Sequence, residues 1–187
     1  MRKLEDFPDA HLRIFDRPDV PAAEDISDVY LIGICGTGMG SLAGLFHEAG
    51  YKVRGSDAAT WPPMSHRLAA MNIPVAEGFD AANLSPHPDL VIVGNACTPI
   101  HPEAAHVREN GWVQQSLPEA VAHFFIQDRR SLVVAGTHGK TTTTSLLAHL
   151  FRSAGRDPGF LVGGVMNNGD VSYSVGTGPH FIIEGDE

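Results

Sequence analysis

Apolar and polar positions along this chain alternate between two periods. Residues 29–34 form an almost unbroken apolar run and predict a strand. Residues 41–49 follow with helical spacing, and Gly50 stands where a left-handed residue closes a helix. Residues 51–55 predict a second strand. Beyond it come a helix over 63–72 with Ser65 as its candidate cap, a short strand over 73–75, and an apolar strand over 90–93. A helix over 102–110 ended by Gly111, a strand over 112–114 and a helix over 117–125 complete the series. A run as apolar as Leu90, Val91, Ile92 and Val93 suits a central strand covered on both faces. Strands alternating with helices of about ten residues predict an α/β fold built on a Rossmann-like parallel sheet. The polar cluster 127–130 interrupts the pattern. A buried-looking strand over 131–135, a helix over 144–154 and apolar strands at 160–162 and 181–183 follow. Two domains are therefore expected, at 29–128 and 129–187, after an extension of residues 1–28 in which no period persists.

The strongest chemical signal lies at the second of these junctions. Gly136, Thr137, His138, Gly139, Lys140, Thr141, Thr142 and Thr143 connect the strand at 131–135 to the following helix. Glycines let backbone N–H groups turn toward an anion, and a helix start adds unpaired donors and a positive dipole end. Lys140 supplies a charge for the β/γ-phosphates, and Thr141 supplies a hydroxyl for Mg²⁺. The general GxxxxGK[ST] spacing would place glycine where Val134 stands, so this is a shortened form of the phosphate loop. The second domain thus reads as the start of a P-loop ATPase domain. Its three legible strands are few for such a domain, and the sequence looks cut through it. Glu184, at the end of the strand at 181–183, is a candidate to hold Mg²⁺ directly or through water; the alternative is an acid in the turn after a strand.

The first domain has a glycine turn of its own, with Gly33, Gly36, Gly38 and Gly40 after its first strand. Cys35 occupies the second glycine of a strict GxGxxG fingerprint, so the turn points to a diphosphate rather than to NAD in particular. Asp57 lies near the distance at which an acid meets a ribose, and a turn aspartate is the equal alternative. Ligands of such sheets sit at the carboxyl ends of strands, which brings in the turn at 94–98 as well.

Composition changes the picture little. With 43% hydrophobic and 19% charged residues, the 187-residue chain reads as ordinary globular material. A formal charge of −9 argues against a protein that coats nucleic acid or anionic membrane. No apolar run approaches the ~20 residues needed to span a bilayer. Absence of a signal-peptide core, with only Cys35 and Cys97 as thiols, makes a reducing cytoplasm the expected location. His47, His66, His106, His123 and His149 read as surface or satisfied polar groups, and Trp61 and Trp112 as packing anchors. An oligomeric state is not legible.

Taken in order, the glycine turn, the Gly55, Ser56, Asp57 step, the shortened phosphate loop and the acidic end at Glu184, Gly185, Asp186 and Glu187 resemble the Mur ligases of bacterial cell-wall synthesis. The resemblance runs from about Val29 to Glu187. Cys35, the step from Pro62 to Ser65, Gly94 with Asn95, and Gly163 with Gly164 are similar to the branch that joins L-alanyl-γ-D-glutamyl-meso-diaminopimelate to UDP-N-acetylmuramate in peptidoglycan recycling. The branch adding L-alanine to that sugar is the alternative. The resemblance implies an ATP-dependent acid–amino-acid ligase: ATP phosphorylates the lactyl carboxylate, and an amine attacks the acyl phosphate. It implies ATP contacts at Gly136, Thr137, Gly139, Lys140 and Thr142, and Mg²⁺ ligands at Thr141 and Glu184. Gly36, Thr37, Gly38 and Met39 would surround the UDP diphosphate, with Asp57 near the uridine and Asn95 and Thr98 near the diphosphate or sugar. Lys140 would stabilise charge in catalysis. For His138 three roles stay open: a phosphate contact, a substrate-carboxylate contact, or a loop filler. Rival readings are a UDP-sugar-binding module without turnover and an NAD-dependent oxidoreductase; a GTPase is disfavoured because no Asn-Lys-x-Asp occurs.

Overall fold

The apolar run after the extension forms β1 (Asp28–Ile32), every residue of which is buried. In the computed structural model the described residues are 17–95, 97–98, 100–164 and 172–185. Most of the extension, together with Ala96, Val165, Asp186 and Glu187 of the sequence motifs, lies outside them. Chain order continues with α1 (Thr37–Glu48), β2 (Lys52–Asp57), α2 (Met64–Ala70), β3 (Val75–Glu77), β4 (Leu90–Val93), α3 (Pro102–Glu109), β5 (Gln114–Ser116) and α4 (Leu117–Ala120). These strands make one sheet in the order β3-β2-β1-β4-β5, all parallel. The order reverses between β1 and β4, which opens a crevice at their carboxyl ends.

Alternation along β1 and β4 splits the core. Val29, Leu31 and Ile92 face Leu42, Leu45 and Phe46 of α1. Tyr30, Ile32 and Val91 face Ala104 and Val107 of α3 on the other side. The helix at 117–125 is present, but after α4 it widens into a π-helix, Val121–Ile126. Both Phe124 and Phe125 then pack edge-on against Phe46, at 5.2 and 4.9 Å between centroids. Gln127, at φ +46°, ends it.

A second sheet follows: β6 (Arg130–Val134), α5 (Lys140–Ser153), β7 (Gly159–Leu161), β8 (Tyr173–Ser174) and β9 (His180–Glu184), in the order β6-β9-β7-β8. Its β7–β8 pair is antiparallel and the rest parallel. Phe181 and Leu161 join the core of the first sheet, while Ile182 and Phe160 turn to Ala148 of α5.

Several expectations are corrected. Among the described residues the strand at 131–135 is not buried: β6 pairs there with β9 alone, and Val133 is 59% exposed. Helix α5 starts at Lys140 rather than at 144, because Gly139 adopts φ +77° and leaves Lys140 as the first helical residue. Ser65 is not a cap; Pro63 occupies that position. The strands expected at 73–75 and 112–114 begin two residues later, and β8 extends the three strands counted in the second unit. Part of the expected extension is structural: Ile26 is buried and Asp28 opens β1.

Candidate functional site

Two cavities open at the carboxyl ends of the first sheet. The first, of about 450 Å³, is walled by Cys35, Asp57, Trp61, Phe79, Cys97 and His101. Its floor is set by the step from β2: Asp57 Oδ2 accepts the Cys35 amide at 2.8 Å, so the aspartate both ties the glycine turn to β2 and faces the cavity. Asp57 thus holds the turn and also faces the cavity. Burial, and then the Asp57 charge, push the Cys35 thiol up to about 11. Burial likewise raises Cys97 and lowers His101. Trp61 was expected to anchor packing, yet it is 75% exposed at the cavity's rim; Trp112 does pack, against His87 and His106.

The second cavity, of about 360 Å³, lies between the sheets. Residues 36–39 and Asn95 contribute from the first sheet, and Lys140, Glu184 and Gly185 from the second. Met39 reaches it while remaining in the core, 7% exposed. Lys140 Nζ donates to the Gly136 carbonyl at 2.9 Å, which holds the ammonium over its own loop. Thr141 Oγ1 donates to Glu184 Oε2 at 3.2 Å, and Glu184 Oε1 accepts the Gly163 amide at 2.9 Å. The carboxylate at the end of β9 thus meets the helix start that follows β6, because those strands are parallel neighbours.

Not every expected residue converges. Thr98 lines neither cavity; it is exposed, and its carbonyl accepts the His101 amide at 2.9 Å in the turn before α3. Gly136, Thr137, Gly139 and Thr142 are exposed along the loop and first turn of α5. His138 is exposed too, with Nδ1 at 3.2 Å from the Thr137 hydroxyl.

One buried charged group beside the site was missed. Glu103 is fully buried beneath the first cavity. Its Oε1 accepts the Tyr30 hydroxyl at 3.2 Å, Asn83 Nδ2 at 2.9 Å and the Asp80 amide at 3.3 Å; its Oε2 accepts the Ser56 hydroxyl. Burial raises the Tyr30 phenol well above its ordinary value, against the Ser56 bond. Glu103 fixes Ser56 and hence the direction of its neighbour Asp57. An acid in a first helical turn reads as a dipole partner. The available signal was that 103, 104 and 107 share one helical face, and that Ala104 and Val107 are apolar.

A parallel sheet with a glycine turn at its switch point, joined to a second sheet entered through a phosphate loop, defines a nucleotide-binding α/β protein. Residues 28–129 match the family described as "Mur ligase family, catalytic domain", and the chain belongs to that family. It is similar to the UDP-N-acetylmuramate--L-alanyl-gamma-D-glutamyl-meso-2,6-diaminoheptandioate ligase of Escherichia coli (strain K12), 45% identical over 159 residues, which are 85% of this chain and 35% of that protein. It is 38% identical over 165 residues to the UDP-N-acetylmuramate--L-alanine ligase of Salinispora arenicola (strain CNS-205), covering 88% of this chain and 32% of that protein. Among solved structures, the UDP-N-acetylmuramate:L-alanyl-gamma-D-glutamyl-meso-diaminopimelate ligase of Neisseria meningitides superposes with a TM-score of 0.79 at 40% identity, over 87% of this chain and 53% of that one. The chain spans about a third of the length of these curated relatives.

Proposed function

We propose that this chain carries the UDP-sugar and ATP sites of a cytoplasmic ligase that joins L-alanyl-γ-D-glutamyl-meso-diaminopimelate to UDP-N-acetylmuramate through an acyl phosphate. The observation that carries the reading is the cavity in which residues 36–39 and Asn95 face Lys140 and Glu184 across the two sheets. The names of the relatives at 45% and 40% identity support the peptide branch over the L-alanine branch at 38%.

In this reading the domain over 29–128 binds the UDP-sugar and the domain over 129–187 binds ATP. The uridine end lies against Asp57, and the diphosphate lies along Gly36, Thr37, Gly38 and Met39. Asn95 stands on the path from there to the sugar; Thr98, which lines neither cavity, acts only by shaping the turn before α3. The N–H groups of Gly136, Thr137, Gly139 and Thr142 hold the ATP phosphates at the helix start. Lys140 offsets the charge that grows on the transferred phosphoryl group. His138 adds a contact to the same anions from the outer side of the loop.

Mg²⁺ fits the donor set. The Thr141 hydroxyl and the Glu184 carboxylate are hard oxygen donors brought together at 3.2 Å beside Lys140, and Mg²⁺ takes its remaining ligands from phosphates and water. When bound it supplies Lewis-acid stabilisation of the phosphoryl oxygens. Glu184 is held ready for it by the Gly163 amide.

The test is Lys140→Ala in a ligase of full family length carrying these residues. Ligation falls by about 100- to 1000-fold, while calorimetric UDP-N-acetylmuramate binding stays unchanged. Equal loss of both refutes the assignment of separate sites to the two sheets.

A further inference from the structure

Behind the proposed Mg²⁺ donors lies a turn whose construction the reaction alone does not explain. Strand β7 leads through the buried Val162 into Gly163 and Gly164. Gly163 presents its amide to Glu184 Oε1 at 2.9 Å. Gly164 lies against the other donor: a Cβ there would fall 2.7 Å from Thr141 Cγ2, in the first turn of α5. Two consecutive glycines thus serve the two donors separately, one by a hydrogen bond and one by leaving room. Glycines have wide conformational freedom, so the direction of such a turn must be fixed by something outside it.

Ser172 fixes it. The residue is fully buried and lines neither cavity. Its carbonyl accepts the Val162 amide at 2.7 Å, and its hydroxyl donates to the Gly164 carbonyl. Arg67 of α2 donates to the same hydroxyl oxygen at 3.3 Å. A guanidinium can only donate and a carbonyl can only accept, so the single Ser172 proton belongs to Gly164. Bonds to residues 162 and 164 from one side chain and its own backbone hold the Gly163 amide between them.

We propose that Ser172 is a positioning residue for phosphoryl transfer: by fixing the turn at Gly163 and Gly164 it aims the Glu184 carboxylate and keeps Thr141 beside it, so that Mg²⁺ meets a preset pair of oxygen donors. The inference rests on the reading of Thr141 and Glu184 as those donors. Removing groups that orient metal ligands weakens metal binding by about 10- to 100-fold. Ser172 acts through one further peptide and belongs at the lower end of that range.

The experiment is a Mn²⁺ titration, followed by the electron paramagnetic resonance signal of the free ion, on the ADP complex of a ligase of full family length carrying these residues. Mn²⁺ takes the same oxygen donors as Mg²⁺. Ser172→Ala removes the hydroxyl, and Gly164→Ala sets a methyl against Thr141 while leaving every hydrogen bond its partners. Each is expected to weaken Mn²⁺ by about tenfold, with calorimetric binding of UDP-N-acetylmuramate as in wild type. Raising Mg²⁺ restores ligation in Ser172→Ala, which a mere loss of folded protein would not allow. Glu184→Gln separates the inference from the reading beneath it. If that variant binds Mn²⁺ as wild type does, the donor assignment fails and the inference with it. If Glu184→Gln weakens Mn²⁺ while Ser172→Ala does not, the inference alone is overturned, whatever Ser172→Ala loses in thermal stability. If Ser172→Ala fails to fold, Gly164→Ala decides in its place.

Discussion

Replacing Glu103 tests whether the buried carboxylate beneath the first cavity organises that end of the sheet. In Glu103→Leu the Tyr30 and Ser56 hydroxyls, at 1% and 0% exposure, lose their acceptor and have no water to replace it. Each orphaned group costs about 1–3 kcal/mol. The other two donors count for less. Asn83 keeps its bond to the Gly78 carbonyl at 3.0 Å, and the Asp80 amide is already long at 3.3 Å. Relief from burying a carboxylate offsets part of the loss. The net expectation is about 2–4 kcal/mol, or roughly 5–15 °C in Tm for a protein of this size.

Glu103→Gln separates shape from hydrogen bonding. Its carbonyl still accepts from Tyr30 and Asn83, and the Ser56 hydroxyl can turn to accept from the new amide, so the cost is about 1 kcal/mol. Urea unfolding followed by tryptophan fluorescence suits the measurement, because the half-buried Trp112 packs on the same face of the sheet as Tyr30. A Leu variant within 1 kcal/mol of wild type, or a Gln variant as unstable as Leu, refutes the reasoning.

Three further outcomes are expected. In Gly44→Val the new Cβ falls 2.2 Å from the Tyr173 ring, which costs about 1–3 kcal/mol; combining it with Tyr173→Ala recovers part of that in urea unfolding, and an additive double variant contradicts the contact. Because the Cys35 thiol is pushed up to about 11, iodoacetamide labelling at neutral pH is slow and accelerates as pH rises toward that value. Bound UDP suppresses the labelling, and full labelling in saturating UDP counts against the cavity. Amides of Asp28 and Ser27, with the Ser27 hydroxyl, hold Asp89 below the ordinary carboxylate value. A depressed native value gives stability that is present above the unfolded pKa of about 3.9 and disappears as pH falls through the native one; the stability gap between wild type and Asp89→Asn therefore holds above about pH 5 and shrinks below 4, whereas a gap independent of pH disproves the contribution.

Legibility in the sequence followed burial. Val29 to Ile32 and Leu90 to Val93 read as strands because central parallel strands are covered on both faces and carry almost only apolar residues. The edges resisted. Strand β5 is Gln114, Gln115 and Ser116, with no apolar residue to mark it, and β8 is two residues long. Strand β6 has an interior-like sequence and pairs with β9 alone among the described residues; which strands flank it is not written in any local pattern. The phosphate loop was legible because its chemistry is contiguous. The first cavity was legible at the glycine turn, at Asp57 and at the turn over 94–98, but not at His101, Phe79 and Trp61, which reach it from three separate segments and are ordinary in their own neighbourhoods.

What holds the two phosphate-type turns face to face is a clasp at the far edge of the second sheet. Tyr173 of β8 lies against Gly44, where only a missing side chain leaves room for its ring, and its hydroxyl reaches Met71 Sδ at 3.1 Å. Glu48 at the end of α1 accepts the Val175 amide at 3.0 Å and the Ser174 hydroxyl at 3.3 Å, and Arg67 of α2 donates to the Ser172 hydroxyl at 3.3 Å. With Leu161 and Phe181 set in the core of the first sheet, these contacts make relative sliding of the sheets costly: any shift large enough to move Lys140 by a bond length must also disturb packed aromatic rings. Helix α1 begins at the glycine turn and ends at Glu48, so one rod carries that turn at its start and the clasp at its end. The position of Lys140 and Glu184 relative to the glycine turn is thus set by helix length and ring packing.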